Sequence, residues 1–282
     1  MVRVYGANLS DVTDRYLRKL GIAYGYQDIT KAAIPVPMAG NDGVSVSPKP
    51  WWCHHGQGEI LLWDDFNGAL QWLSTLGTLS RASDQGCILV GDYSAKLVTG
   101  TTAGNTANMI KYTSPLIDEW EYHTLELWWM LYTPAATTPR SIEVDWDIHK
   151  WNGSTARRFA FRYLANNSGT PTWKPQYFDS TGAWVDLWPV AKPIQITNPQ
   201  WHHLLIQVRC PTGAPYEYDF IQHDQVAYDL GGVAGYTQSY DRGQTIIQIT
   251  ATTDVALATT AYVGAVIVNN GNYGYPGVPG PA

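Results

Sequence analysis

The sequence predicts an all-β fold, a sandwich of two antiparallel sheets running from about Asp64 to about Val268. Three observations predict it. From Ile60 onward short strand-like runs alternate with turn residues, as an antiparallel sandwich requires. Within the runs apolar and polar residues alternate, the period of a half-buried strand. No helical pattern of comparable length falls between them, which argues against repeated strand–helix–strand units.

Ahead of the sandwich, Ser10 to Leu20 predict one short amphipathic helix. Ser10 can cap it, Val12, Tyr16, Leu17 and Leu20 share a face, and Gly21 supplies the stop. From Gly25 to Gly58 the chain is rich in Pro, Gly, Ser and Asn without periodicity (AAIPVPMAGNDGVSVSPKP), and reads as an extended arm lying on another surface. Strands are then expected at CILVGD (87–92), AKLVTG (95–100), TANMIKYT (106–113), YHTLELWWMLYT (122–133), SIEVDWDIHKW (141–151) and RRFAFRYL (157–164). Further strands are expected at HHLLIQVRC (202–210), YEYDFIQ (216–222), QTIIQITAT (244–252) and ATTAYVGAVIV (258–268). The final GYPGVPGPA (274–282) forms Gly-x-y triplets, too few for a free collagen helix but suited to a polyproline II docking tail, with trimer formation as a corollary. The expected divisions are therefore 1–57 (helix and arm), 58–268 (sandwich) and 269–282 (tail).

The 282 residues carry a charged fraction of only 15%, yet hold 13 Trp and 18 Tyr, a profile of large rigid contact surfaces. A net charge of −6 offers no basic field for a phosphate backbone, so a nucleic-acid partner is not expected. Cys53, Cys87 and Cys210 are odd in number and widely spaced, neither a disulfide framework nor a zinc pattern. They are read as thiols of a protein made in a reducing cytosol. The start, MVRVYGANLSDVTDRY, lacks the apolar run of a secretory signal, and no stretch of about 20 apolar residues occurs, so no membrane association is expected.

Three segments carry a family likeness. LLWDDFNGALQWLSTLGTLSRA (61–82) resembles the entry strand of concanavalin-like and laminin-G-like sandwiches. LELWWMLYT followed by SIEVDWDIHKWNGSTARRFAFRYL resembles their paired central strands. WHHLLIQVRCPTGAPYEYDFIQHDQVAYDLGG (201–232) resembles their W-H-x-L segment, in which Trp201 would pack in the core ahead of a hairpin. The resemblance implies a concanavalin-like jelly-roll. The arrangement also looks like lectin-like proteins found in bacteriophage particles and bacteria.

Glu143-Val144-Asp145-Trp146-Asp147 is the sharpest chemical candidate, because on a strand the three carboxylates project from one face and Val144 and Trp146 from the other. The run resembles the E-x-D-x-E strand of laminarinase- and lichenase-type glycoside hydrolases, which implies Glu143 as nucleophile, Asp145 as helper and Asp147 as acid/base. Retaining hydrolysis needs two carboxyls about 5–5.5 Å apart, one kept protonated by its surroundings. Here Asp147 stands where the family has Glu, one methylene short. The plain alternative is an acidic face paired with Arg157, Arg158 or Arg162 on the next strand. Trp128, Trp129, Trp146, Trp151, Trp173, Trp184 and Trp188 could stack on a sugar, with Trp128, Trp146 and Trp151 put forward first, although a Trp is more often core. Asp64 and Asp65 are candidate calcium ligands, with turn capping as the alternative. Cys53-His54-His55 and His202-His203 hold metal-ligand types, but neighbours on an extended chain point apart and no second ligand pair has suitable spacing. No catalytic residue or metal is favoured, and no cofactor other than calcium is considered.

The resulting expectation is a non-enzymatic adhesive protein on the surface of a bacteriophage capsid or tail, made in the host cytoplasm. Its partners would be other virion proteins and copies of itself, joined through the terminal arms, with a host glycan as candidate ligand. The rivals are a retaining glycoside hydrolase built on Glu143, Asp145 and Asp147, and a lectin module without catalysis.

Overall fold

The computed structural model describes residues 3–4, 59–85, 92–113, 121–133, 139–149, 156–167, 169–197, 199–211, 214–238, 244–254 and 256–270. The expected helix at 10–20, the arm at 25–58, most of CILVGD, the Gly/Pro tail, Cys53, His54, His55, Cys87 and Trp151 lie outside them. Among the described residues there are sixteen strands and no helix. In chain order they are β1 (Arg3–Val4), β2 (Glu59–Asp64), β3 (Thr78–Ala82), β4 (Ser94–Val98), β5 (Thr106–Thr113), β6 (Tyr122–Tyr132), β7 (Pro139–Ile148) and β8 (Arg157–Asn167). There follow β9 (Thr170–Phe178), β10 (Trp184–Asp186), β11 (His202–Arg209), β12 (Glu217–His223), β13 (Val226–Ala234), β14 (Tyr236–Thr237), β15 (Thr245–Thr253) and β16 (Thr260–Asn270).

These strands make two sheets. The nine-stranded sheet runs β1-β2-β16-β6-β11-β12-β13, with β4 also on β16 and β3 on β4. The seven-stranded sheet runs β10-β9-β8-β7-β15-β5, with β14 on β8. Every ladder is antiparallel except β1 on β2. The chain is thus the antiparallel two-sheet sandwich that the strand periodicity predicts.

Alternate side chains of the two sheets meet to form the core. Leu125, Leu127 and Trp129 of β6 and Leu204 and Ile206 of β11 face Val144 and Trp146 of β7, Phe159 and Phe161 of β8, and Ile247 and Ile249 of β15. A fully buried Leu or Ile contributes about 1.5–3 kcal/mol, so these ladders dominate stability. Two departures from strict alternation have a visible cause. Val263 and Val266 both enter the core although three residues apart, because the register shifts between Val263 and Ala265 and Gly264 takes up the extra residue. Tyr218 and Ile221 do the same across the shift between Tyr218 and Phe220. On the other strand of that pair, Gly231 and Gly232 lie inside β13, with Gly232 at φ 87°. The pair forms a strand irregularity that only glycine accommodates readily. Trp201, expected in the core, is half-buried.

Candidate functional site

β7 lies between β15 and β8, so its polar residues occupy the middle of the seven-stranded sheet's outer face. Ile142, Val144, Trp146 and Ile148 are fully buried in the core, and strand alternation sends Glu143, Asp145 and Asp147 to the opposite side. Register then decides their neighbours. Glu143 sits beside Arg162 and Thr250, Asp145 beside Ala160 and Gln248, and Asp147 beside Arg158 and Ile246.

The three carboxylates therefore occupy three different surroundings. Asp147 is nearly enclosed, its side chain 4% exposed, with Oδ1 accepting from Arg158 Nε at 2.8 Å and Gln238 Nε2 at 3.2 Å. Its Oδ2 accepts from Arg158 Nη2 at 3.2 Å. Asp145 reaches the same guanidinium only at 3.8 Å. Burial pushes the Asp145 carboxyl up to about 7, Arg158 opposes that rise, and Glu143 and Asp147 add to it. Ala160, opposite Asp145, ends at Cβ, so the carboxyl lies low between two Arg–acid pairs. Glu143 is the more open acid, 27% exposed and 3.5 Å from Arg162 Nη1.

From Glu143 a polar network crosses four strands. Arg162 donates through Nε and Nη2 to Gln176 Oε1 at 2.9 and 2.7 Å. Gln176 donates to Asp186 Oδ1 at 2.6 Å, and Lys174 pairs with the other Asp186 oxygen. The Arg162 guanidinium also lies 4.3 Å from the ring centroid of Trp184. Trp184 packs on Phe178 at 5.0 Å, and Phe178 on Tyr236 at 5.4 Å. Carboxylates, guanidinium groups and half-buried aromatic rings thus share one sheet face.

The acidic strand is brought together as its spacing predicts, and Arg158 and Arg162 pair with it. Arg157 turns instead to Gly235 O and the Thr237 hydroxyl. Trp146 is 0% exposed, within the core, and offers no ring face to a ligand. Trp128 is 3% exposed and covered by His203 at 4.8 Å, so it offers none either. Asp64 accepts from Phe66 N at 2.9 Å and from Trp72 Nε1 at 2.8 Å, and Asp65 accepts from Asn67 N at 3.1 Å. Both act as turn caps, the alternative to calcium ligation. Trp184 is one of the Trp residues the sequence offers for stacking, whereas Gln176 and Asp186 escape sequence reasoning because they sit on β9 and β10, around prolines at 171, 175 and 189 that obscure the strand pattern.

No protein-family model matches the sequence, and no curated protein matches it. Solved structures do share its fold. A conserved carbohydrate esterase from the Shiga toxin-encoding bacteriophage phi24B aligns at a TM-score of 0.50 and 10% identity, over 76% of this chain and all of that one. Lectin I-B4 from Griffonia simplicifolia aligns at 0.43 and 9% identity over 73% of this chain and 98% of its own. The carbohydrate recognition domain of Emp47p aligns at 0.43 and 13% identity over 77% and 99%. The antiparallel two-sheet sandwich is thus a fold this chain shares with the phage esterase.

Proposed function

We propose that this protein is a non-enzymatic, glycan-binding adhesive module whose ligand lies on the outer face of the seven-stranded sheet, and that it works on the surface of a bacteriophage particle. The observation that carries the binding reading is the enclosure of Asp147. At the position of the acid/base, both oxygens are held by Arg158 and Gln238 and only 4% of the side chain is exposed, so it cannot hand a proton to a leaving group at the surface. The groups that remain open, Glu143, Arg162 and the Trp184 edge, suit hydroxyl hydrogen bonding and ring stacking. The particle setting rests on the likeness of the arrangement of segments 61–82, 125–164 and 201–232 to lectin-like proteins found in phage particles and bacteria.

The full chain is expected to retain glycans on an array of bacterial surface polysaccharides and β-glucans. Arg162→Ala and Trp184→Ala should each weaken that retention about tenfold, the equivalent of 1.4 kcal/mol, with an unchanged circular dichroism spectrum. Incubation with the same glycans should release no new reducing ends. Steady release that disappears in Glu143→Gln would instead establish the hydrolase. Antibodies to the chain should decorate purified phage particles, and unlabelled particles would remove the proposed setting.

A further inference from the structure

A second group of side chains lies away from the carboxylate face, at one end of the space between the sheets. β11 begins at His202 and β12 ends at His223, immediately before Asp224 in the β12–β13 turn. On β11 the inward positions are His202, Leu204 and Ile206, and on β12 His223 pairs opposite Leu204. Sequence reasoning separates His202 from His203 correctly, since His203 points to the other face and meets Glu126 Oε1 at 2.7 Å. It misses that the hairpin returns a second ligand pair, His223-Asp224, to the start of β11.

One donor atom from each of His202, His223 and Asp224 falls within 4.8 Å of the others. His202 Nδ1 is 3.0 Å from Asp224 Oδ2, and Asp224 Oδ1 accepts from His203 N at 3.0 Å, which fixes the carboxylate's orientation. His223 supplies an independent observation. It is 1% exposed, neither ring nitrogen has a hydrogen-bond partner, and its nearest carboxylate oxygen is 3.9 Å from Nδ1, beyond hydrogen-bond reach. The ring is held by stacking on Trp129 at 5.6 Å and Phe161 at 5.4 Å. A buried polar ring with both nitrogens unused costs free energy unless something binds it.

We infer that His202, His223 and Asp224 form a site for one divalent transition-metal ion of the zinc class. Two imidazoles and one carboxylate suit zinc, cobalt or nickel and not calcium or magnesium, which take oxygen ligands. Three protein ligands leave a fourth position for water, and Asp224, 32% exposed, opens the cluster to solvent. Bonds of about 2.0–2.1 Å bring tetrahedral donors to roughly 3.3 Å apart, so the cluster contracts on binding, through the less buried His202 and Asp224. The nearby Lys192 ammonium acts against a second cation, and the Asp224 charge offsets it.

The test uses the full chain stripped with a chelator and titrated with Zn²⁺ or Co²⁺ alone. The expected result is one ion per chain with micromolar or tighter affinity, a visible Co²⁺ absorption of low-symmetry N/O coordination, and a melting temperature raised by roughly 5–10 °C at hundredfold excess over Kd. Asp224→Asn and His202→Gln, both at partly exposed positions, should abolish the Co²⁺ band while the chain stays folded. A variant with His54→Ala and His55→Ala should keep it. Absence of stoichiometric binding to the wild-type chain, or a band that follows His54 and His55 instead of Asp224, overturns the inference.

Discussion

Asp145 exchanges water for a sheet face that gives it only a distant guanidinium, and the consequence is a proton held into the neutral range. Its carboxyl titrates at about 7 in the folded chain against about 3.9 in an unfolded one. Below about pH 4 both states carry the proton and the group contributes nothing to the pH dependence. Between about pH 4 and 7 the folded chain keeps a proton that the unfolded chain has released, so stability from this group declines as pH rises and levels off above 7. Urea denaturation should therefore show the wild type gaining stability from pH 8 to pH 5 relative to Asp145→Asn, by about 2–3 kcal/mol. Equal slopes for the two proteins would mean that Asp145 is ionised in the fold. The same proton bears on recognition, since a neutral carboxyl can donate to a sugar hydroxyl where a carboxylate can only accept.

Among the elements, β3, β4 and β5 meet at one tight point. Gly77, just before β3, has φ 66°, and a Cβ there would stand 2.5 Å from Ala107 Cβ and 2.8 Å from Val98 O. Gly77→Ala should cost about 2–4 kcal/mol, because it combines a left-handed backbone with a contact that neither strand can vacate. A shift in thermal midpoint of less than about 2 °C would show that the strands can part. Other elements explain what sequence reasoning reaches and where it stops. β5, β6, β7, β11, β15 and β16 are legible because their apolar runs are long and rich in β-branched and aromatic residues. β9 is not, since Pro171 and Pro175 count against a strand. The structure resolves the conflict: Pro175 O accepts from Leu187 N at 2.9 Å, so the missing N–H of Pro175 faces that same side, away from the β8 ladder. The carboxylate face was legible for the same reason as β7, whereas its aromatic side depends on β9 and β10. The His202–His223–Asp224 cluster depends on a hairpin register that no local pattern encodes.

For the molecule as a whole, the nine-stranded sheet depends on its last described strand. β16 pairs with β6 along one edge and with β4 and then β2 along the other, so it joins segments that are otherwise unconnected within that sheet. Removal of residues 260–282 should therefore abolish cooperative unfolding altogether, leaving no thermal transition by near-ultraviolet circular dichroism. A truncated chain that still melts sharply would show that the seven-stranded sheet and β6-β11-β12-β13 sustain a core alone. The dominant contacts also span long stretches of sequence, β5 with β15 and β2 with β16, a topology that folds slowly.

The central position of β16 also has a consequence for the chain on the ribosome. β6 is made early, and its hydrogen-bonding edge for β16 waits through the synthesis of residues 133–259. At ordinary translation speeds that interval is on the order of ten seconds. Throughout it, an eleven-residue strand reading YHTLELWWMLY is present without its native neighbour. Such an edge invites pairing with other nascent chains. Yield in a recombinant host is accordingly expected to rise with lower temperature and added chaperone, and soluble yields unchanged by either would count against this exposed edge.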